Sequence, residues 1–549
     1  MGCVLCQGLR LMAGGEIPTL ESRLYLELDS DGVGLALHEK NKGSANPRLM
    51  VYTDEDVEGL YGRHIPVDPH DNACMEMLKG WFTTCVNHHR ECPAPRDSTL
   101  PTRVIDVGPS NGSEQPRLLL TEGKRGQWIA LSHRWGTNVS LKTTSKNLDH
   151  HRQLIEWDRL SKTFQDAVSI TRLLGFRYLW IDSLCILQDR MEDWKIESVK
   201  MRDVYKNCTL NIAAAHPQSA TSGILANRRP VIDDGNPYMV PSFAGVELPF
   251  TSPAGKTFKV KVQKYPQPGA THRESRSNCL VSRGWVIQEF SLSPRTVTWT
   301  EEQMTWQCVN YWAEEYDRRM FQMQTLHIRQ PRLTKQLIRL DPFGVSNREV
   351  YDVWLMTLNA YLARSLTFES DALPAISGVA QEVQRITSDT YLMGHWQGDF
   401  CNGLLWFLHR LPRCIITSIA PSWSWVSRRY DDLAPIGFES GRWFAVSIVN
   451  YVSQITRVRE YAKNRKYFTE FSCRESREII NSGLRLLKQE LQILKIENEA
   501  AHGSDQIRRI RISAPMRPSP VGMNADRPTK GELGVWSDNC WLVSEKSAL

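Results

Sequence analysis

Residues 128–136 read WIALSHRWG. Trp128 to Leu131 are apolar and read as a buried strand, yet the strand runs directly into Ser132, His133 and Arg134 before stopping at Trp135 and Gly136. Polar side chains at the end of a core strand either hold the fold together or hold a ligand. Working outward, SKTFQDAVSITRLLG (161–175) predicts a helix, because Phe164, Ala167, Val168, Thr171 and Leu174 recur at helical spacing and Gly175 stops the run. FRYLWIDSLCI (176–186) follows as a second buried strand, MEDWKIESVKMRDVYKNC (191–208) as a helix carrying Trp194, Val199, Met201 and Tyr205, and TLNIAAAH (209–216) as a third strand. Upstream, RVIDVG (103–108) and RLLLTEG (117–123) pair as a hairpin leading into the opening stretch. This alternation predicts an α/β domain with a mostly parallel sheet and flanking helices.

Two of these strands end alike, one on Ser132 and His133 and the other on Asp182. In an open parallel sheet, ligands bind at the carboxyl ends of strands. The expectation is one sheet containing 128–132, 177–182 and 208–214, with His133 and Asp182 on the same edge. The structural alternative makes Asp182 a helix or turn cap and His133 a satisfied core imidazole.

At 549 residues and 41% hydrophobic, the chain is large enough for two or three domains. A net charge of +6, from 67 basic and 61 acidic residues, gives no electrostatic reason to expect nucleic acid or a membrane surface. No apolar run approaches the roughly 18 residues of a spanning helix, and MGCVLCQGLRLMAGG lacks the apolar core of a signal peptide. Gly2 invites myristoylation, but Cys6 stands where Ser or Thr is expected. A cytoplasmic protein is expected.

The 13 cysteines are odd in number and scattered, unlike a disulfide framework. A subset has ligand-like spacing: Cys3 and Cys6 as C-x2-C, then Cys85, His89 and Cys92 on and just after the predicted helix ACMEMLKGWFTTCVNHH. Cys85 and His89 lie one turn apart on one helical face, and tetrahedral zinc takes such groups. The competing reading is of small buried thiols and a capping histidine.

The Pro-rich stretch CPAPRDSTLPTR (92–103) closes an N-terminal segment of about 1–100. An α/β domain over 101–310, a helical region over 311–410 and a C-terminal region over 411–549 with a loose tail follow. In the helical region, YDVWLMTLNAYLARSLTFESDALPAISGVAQEVQ (351–384) reads as two helices around a turn, with Trp354, Leu358, Tyr361 and Leu362 on one packing stripe.

The run YLWIDSLCILQDRMEDWKIESVKMRDVYKNCTLNIAAAH, preceded by WIALSHRWG and TFQDAVSITRLLG and followed by RGWVIQEFSLSPRTVTW, resembles the fungal heterokaryon incompatibility (HET) domain over roughly 126–290. The flanking HIPVDPH, LPTRVIDVG, SDALPAISGVA and APSWSWVS resemble segments that accompany this domain. The chain departs from the family in carrying His133 and Arg134 where relatives have Tyr and Cys, and Ser161 and Lys162 where relatives have Pro before the helix. The first departure makes the segment resemble the first box of TIR domains. HET domains are distantly related to these flavodoxin-like folds, some of which cleave NAD. The resemblance implies a flavodoxin/TIR-like sheet and a β-rich C-terminal region, so that GLRLLKQELQILKI (483–496), ambiguous by periodicity, is read as strand.

By the same resemblance, RGWVIQEF places Glu289 four residues after Trp285, where TIR enzymes carry a catalytic glutamate. Its carboxylate would stabilise an oxocarbenium-like ribose as nicotinamide leaves. Arg134 would pair with the pyrophosphate, Trp135 or Trp285 would stack on a ring, and Asp182 would hold a ribose hydroxyl beside Ser132 and His133. NAD is thus the implied substrate, with no tightly bound organic cofactor. Each role has a competitor: Glu289 in an ion pair with Arg283 or Arg295, Arg134 capping carbonyls or pairing with Asp182, and the tryptophans as core.

Other chemistries fit less well. Ser132 and His133 are adjacent in a strand and point to opposite faces, which disfavours a hydrolase triad with Asp182. Cys185 sits between Leu184 and Ile186 with no base beside it, and no Gly-rich phosphate loop is present. Two classes remain: a cell-death effector of fungal non-self recognition that consumes NAD, and a non-enzymatic module acting through self-association or an incompatible-allele partner.

Overall fold

The structure is a computed structural model. It describes residues 24–28, 34–39, 42–55, 57–135, 141–215, 223–228, 247–251, 255–264, 280–300, 302–322, 335–340, 344–403, 406–408, 414–416, 420, 424–430, 446–448, 492–498 and 507–513. The chain divides into two compact units, Met1–Leu280 with Ser293–Gln330, and Val281–Leu292 with Pro331–Leu549.

The first unit is built on a nine-stranded sheet: β1 (Arg103–Asp106), β2 (Arg117–Leu120), β3 (Trp128–Ser132), β4 (Tyr178–Trp180), β5 (Leu210–Ala214), β6 (Arg295–Trp299), β7 (Met304–Cys308), β8 (Tyr311–Glu314) and β9 (Met320–Gln322), in the order β9-β8-β7-β6-β5-β3-β4-β1-β2. The pairs β4-β3, β3-β5 and β5-β6 are parallel. All the other pairs are antiparallel. The sheet is therefore mixed, with a parallel centre and antiparallel wings, and not mostly parallel as the alternation predicts. The reason is connection length. Helices α3 (Lys162–Leu173) and α5 (Met191–Asn207) carry the chain from β3 to β4 and from β4 to β5, as parallel neighbours require. Residues 300–303 and 309–310 are too few for a crossover, so β7 and β8 turn back as hairpins.

Burial follows the same division. Every residue of β3 and β6 is buried, as befits strands covered on both faces, whereas the outermost β9 is not. The expected hairpin is β1 with β2. Ser161 caps α3 by accepting a hydrogen bond from the Phe164 N–H, and Gly175 ends the helix region at φ +79°. On α5, Met201 and Tyr205 face the core as read, but Val199 is 60% exposed. Met201, Val204 and Tyr205 already fill the inward stripe.

Ahead of the sheet lies α1 (Asn72–His88), capped by Asp71. A second sheet of this unit joins Leu24–Leu28, Gly34–Glu39 and Lys42–Tyr52 to Thr257–Lys264 and Glu247–Thr251, all antiparallel. The N-terminal segment and an excursion from the middle of the α/β region thus share one sheet, a pairing without a sequence signal.

In the second unit, α6 (Val286–Leu292) packs with α7 (Asn347–Leu362) and α8 (Pro374–Thr387). A Ser346–Glu349 capping box starts α7, and Trp354, Leu358, Tyr361 and Leu362 are buried along it, as the stripe predicts. Within 483–496, residues 492–496 belong to strand Gln492–Asn498, paired with Ile507–Ser513; residues 483–491 lie outside the described residues. No helix among the described residues is long and apolar enough to cross a membrane.

Candidate functional site

The expected edge cluster forms in the first unit. Strand β3 delivers Ser132 to its carboxyl end, where the buried hydroxyl and the Asn211 carboxamide of β5 exchange hydrogen bonds of 3.0 and 3.1 Å. One residue on, the His133 imidazole is 3% exposed and packs edge-on against Phe164 of α3. Its Nδ1 lies 3.8 Å from Asp182 Oδ1. Asp182 opens α4 (Asp182–Cys185), directly beyond β4. Its carboxylate accepts the Trp135 indole N–H at 2.8 Å and the Ser183 N–H at 2.7 Å. Lys142 Nζ stands 5.0 Å from the Trp135 ring centroid, so the ring is held between an anion and a cation.

His133 and Asp182 therefore do share one edge. Asp182 is the first residue of α4 and not its cap, and its indole partner is Trp135, with Arg134 exposed beside it. Ser132 bonds to Asn211 and not to an imidazole, in line with the argument against a triad. The Cys185 thiol is fully enclosed, and burial pushes it up to about 12, which leaves it un-ionised at neutral pH.

A second constellation lies elsewhere in this unit. Cys85, His89, Cys92 and Cys308 are all buried, and their ligand atoms lie within 4.8 Å of one another. These four groups could hold a metal ion. Cys85 sits in the last turn of α1, and His89 is the residue that caps it. A turn with Cys92 N–H donating to His89 O returns the chain to the cluster. Cys308 ends β7, its Sγ is 3.4 Å from His89 Nδ1, and it accepts the Tyr311 N–H at 3.2 Å. The His89 ring stacks on Tyr311 at 4.1 Å. Hydrogen bonding to Cys308 and to Cys92, together with burial, raises the Cys85 thiol far above its ordinary value. Burial opposes ionisation of Cys308, but hydrogen bonds with Cys85, Cys92 and His89 outweigh it and draw this thiol well down. Cys3 and Cys6 lie outside the described residues. Sequence spacing missed Cys308, 219 residues from His89; its only local sign is a cysteine at the tip of the hairpin MTWQCVNYW.

The second unit holds the remaining two candidates. Glu289 is 5% exposed on α6, and its charge favours ionisation of the buried Arg364, which burial lowers to about 10. Trp285 immediately precedes the helix, and its indole donates to Asp371 Oδ2 at 3.0 Å. Burial lifts the Asp371 carboxyl above its ordinary value, with that hydrogen bond opposing.

Residues 128–289 match the family described as heterokaryon incompatibility protein (HET). This segment of the chain is similar to a HET domain. No curated protein and no solved structure matches the chain. The HET match opens on the first residue of β3 and closes on Glu289, so the residues of the edge cluster and Glu289 all fall within the matched range. Cys85, His89, Cys92 and Cys308 all lie outside it, two segments before and after. Asn211, which the sequence reading passed over, is the polar residue inside the apolar TLNIAAAH strand of the HET domain, and that anomaly was its signal.

Proposed function

We propose that this protein acts in fungal heterokaryon incompatibility, as a cytoplasmic cell-death effector whose HET domain binds NAD at the edge cluster and cleaves it in a TIR-like way. The observation that supports this is topological. The parallel strands run β4-β3-β5-β6, and the connections leaving β3 and β5 depart in opposite directions. The crevice between two such strands is the general ligand position of open α/β sheets, and flavodoxin-like sheets have this order. Ser132 and Asn211 meet at that switch point, with His133, Trp135 and Asp182 beside it and exposed Arg134 available to a phosphate. In the reaction, water adds to the ribose carbon as its bond to nicotinamide breaks, giving nicotinamide, ADP-ribose and a proton; it is the TIR resemblance alone that assigns to Glu289 the stabilisation of the developing positive charge.

A second reading has its own support. Glu289 is buried and faces the charge of Arg364, as a structural carboxylate would. In that reading the HET domain is a non-enzymatic module that associates with itself or with the product of an incompatible allele. One experiment separates the two: purified protein, at low and high concentration, is incubated with NAD, and free nicotinamide is measured beside light scattering. Nicotinamide release that rises with protein concentration supports the enzyme, whereas association without release leaves the module.

A further inference from the structure

We propose that Cys85, His89, Cys92 and Cys308 bind one structural zinc ion that clasps α1 to the β7–β8 turn. Zinc bonds of about 2.3 Å to sulfur and 2.0 Å to nitrogen, opened at the tetrahedral angle, set ligand atoms about 3.5–3.8 Å apart. The 3.4 Å between Cys308 Sγ and His89 Nδ1 is such an edge, and all four ligand atoms lie within 4.8 Å. With four protein ligands, all buried, no position is left for water, which marks a structural and not a catalytic centre.

Charge carries the argument further. Zinc with three thiolates and one neutral imidazole bears a net charge of −1. Arg295 of β6 is 1% exposed, and its Nε donates to Cys85 Sγ at 3.2 Å. Its other hydrogen bonds go to the carbonyls of Thr209 and Pro93. A buried guanidinium needs an anion, and the metal-thiolate centre supplies it. The Tyr311 N–H donating to Cys308 Sγ is a further hydrogen bond of the kind that holds a ligating thiolate in place. Both ends of the clasp lie outside the HET match, so the ion would tie the segment before the HET domain to the one after it.

The test uses the full chain, purified without chelator from zinc-supplemented cells. Elemental analysis should give one zinc per chain, released when a mercurial blocks the thiols. Replacement by cobalt should give the visible absorption of a tetrahedral site and thiolate-to-cobalt charge transfer. Cys308→Ser should lose the zinc while Cys185→Ser, at a buried thiol outside the cluster, keeps it. Arg295→Leu should weaken zinc binding on the order of 10–100-fold. A protein without stoichiometric metal, one with a different metal at one per chain, or a Cys308→Ser variant that retains its zinc would each overturn the proposal. If Cys308→Ser does not fold, the zinc content and cobalt spectrum of the parent decide alone.

Discussion

Glu289→Gln separates the two readings of the second unit because it keeps the shape of the side chain and removes only its charge. Arg364 is 5% exposed and hydrogen-bonds to the carbonyls of Ala360 and Val281. Burial lowers its guanidinium to about 10, and the Glu289 charge works against that fall. Two unit charges in contact at an effective dielectric near 20 attract by about 4 kcal/mol, and by less at longer range. Since the hydrogen bonds of Arg364 go to carbonyls, the Glu289 contribution is the longer-range one, and we take about 2 kcal/mol as the cost of its loss. For a unit of this size that corresponds to a fall of roughly 4–8 °C in melting midpoint. Circular dichroism melts of parent and variant measure the shift, and nicotinamide release is assayed well below both midpoints. A midpoint within about 1 °C of the parent would refute the buried charge pairing. Undiminished nicotinamide release by a folded variant would instead remove Glu289 from the chemistry.

Four further outcomes are expected. Asp182→Ala should release the Trp135 indole and cost about 1–3 kcal/mol in urea unfolding, with Asp182→Asn costing less because its amide oxygen still accepts; equal losses would speak against the hydrogen bond. Glu315→Ala should cost about 3–5 kcal/mol by the same measurement, since it strands Arg228, which is bound through Nη1 at 2.9 Å and Nη2 at 2.6 Å inside the core. Burial works against ionisation of Asp106, but hydrogen bonds from Arg177, Gly108 N–H and Arg117 hold its carboxyl below the ordinary value. Its stabilisation is therefore complete above the unfolded value of about 3.9 and is lost as pH falls through the depressed folded value, so Asp106→Asn should flatten the acid limb of the stability curve. Cys185 and Cys74, both pushed up to about 12, should resist alkylation in the folded protein at pH near 8, and modification of either without prior unfolding would contradict their burial.

The centre of the sheet was legible because its signals are local. Helical spacing with a cap and a glycine stop marked α3, and apolar runs ending in polar residues marked β3 and β4. The wings were harder to read. A hairpin and a crossover strand look alike as apolar runs, and only the length of 300–303 and 309–310 tells them apart. The pairing of Lys42–Tyr52 with Thr257–Lys264 has no sequence signal at all, since register between distant strands is set by contacts that no spacing encodes.

The same division governs the sites. His133 and Asp182 were found together because parallel neighbours in register must present their following residues at one edge. Their partners were less predictable: Trp135, and not Arg134, takes the Asp182 carboxylate, because an indole donor can be held against the sheet while a guanidinium stays in water. Cys85, His89 and Cys92 were visible as one helical turn and its continuation, but three ligand groups do not close a tetrahedral centre. The fourth, Cys308, is supplied by a hairpin far along the chain, and the buried Arg295 beside it looked from sequence like a partner for Glu289. What makes Arg295 informative is its place in the fold: it is enclosed beside the cluster and donates to Cys85 Sγ, and a buried cation there is offset if the thiols ligate a metal ion as thiolates.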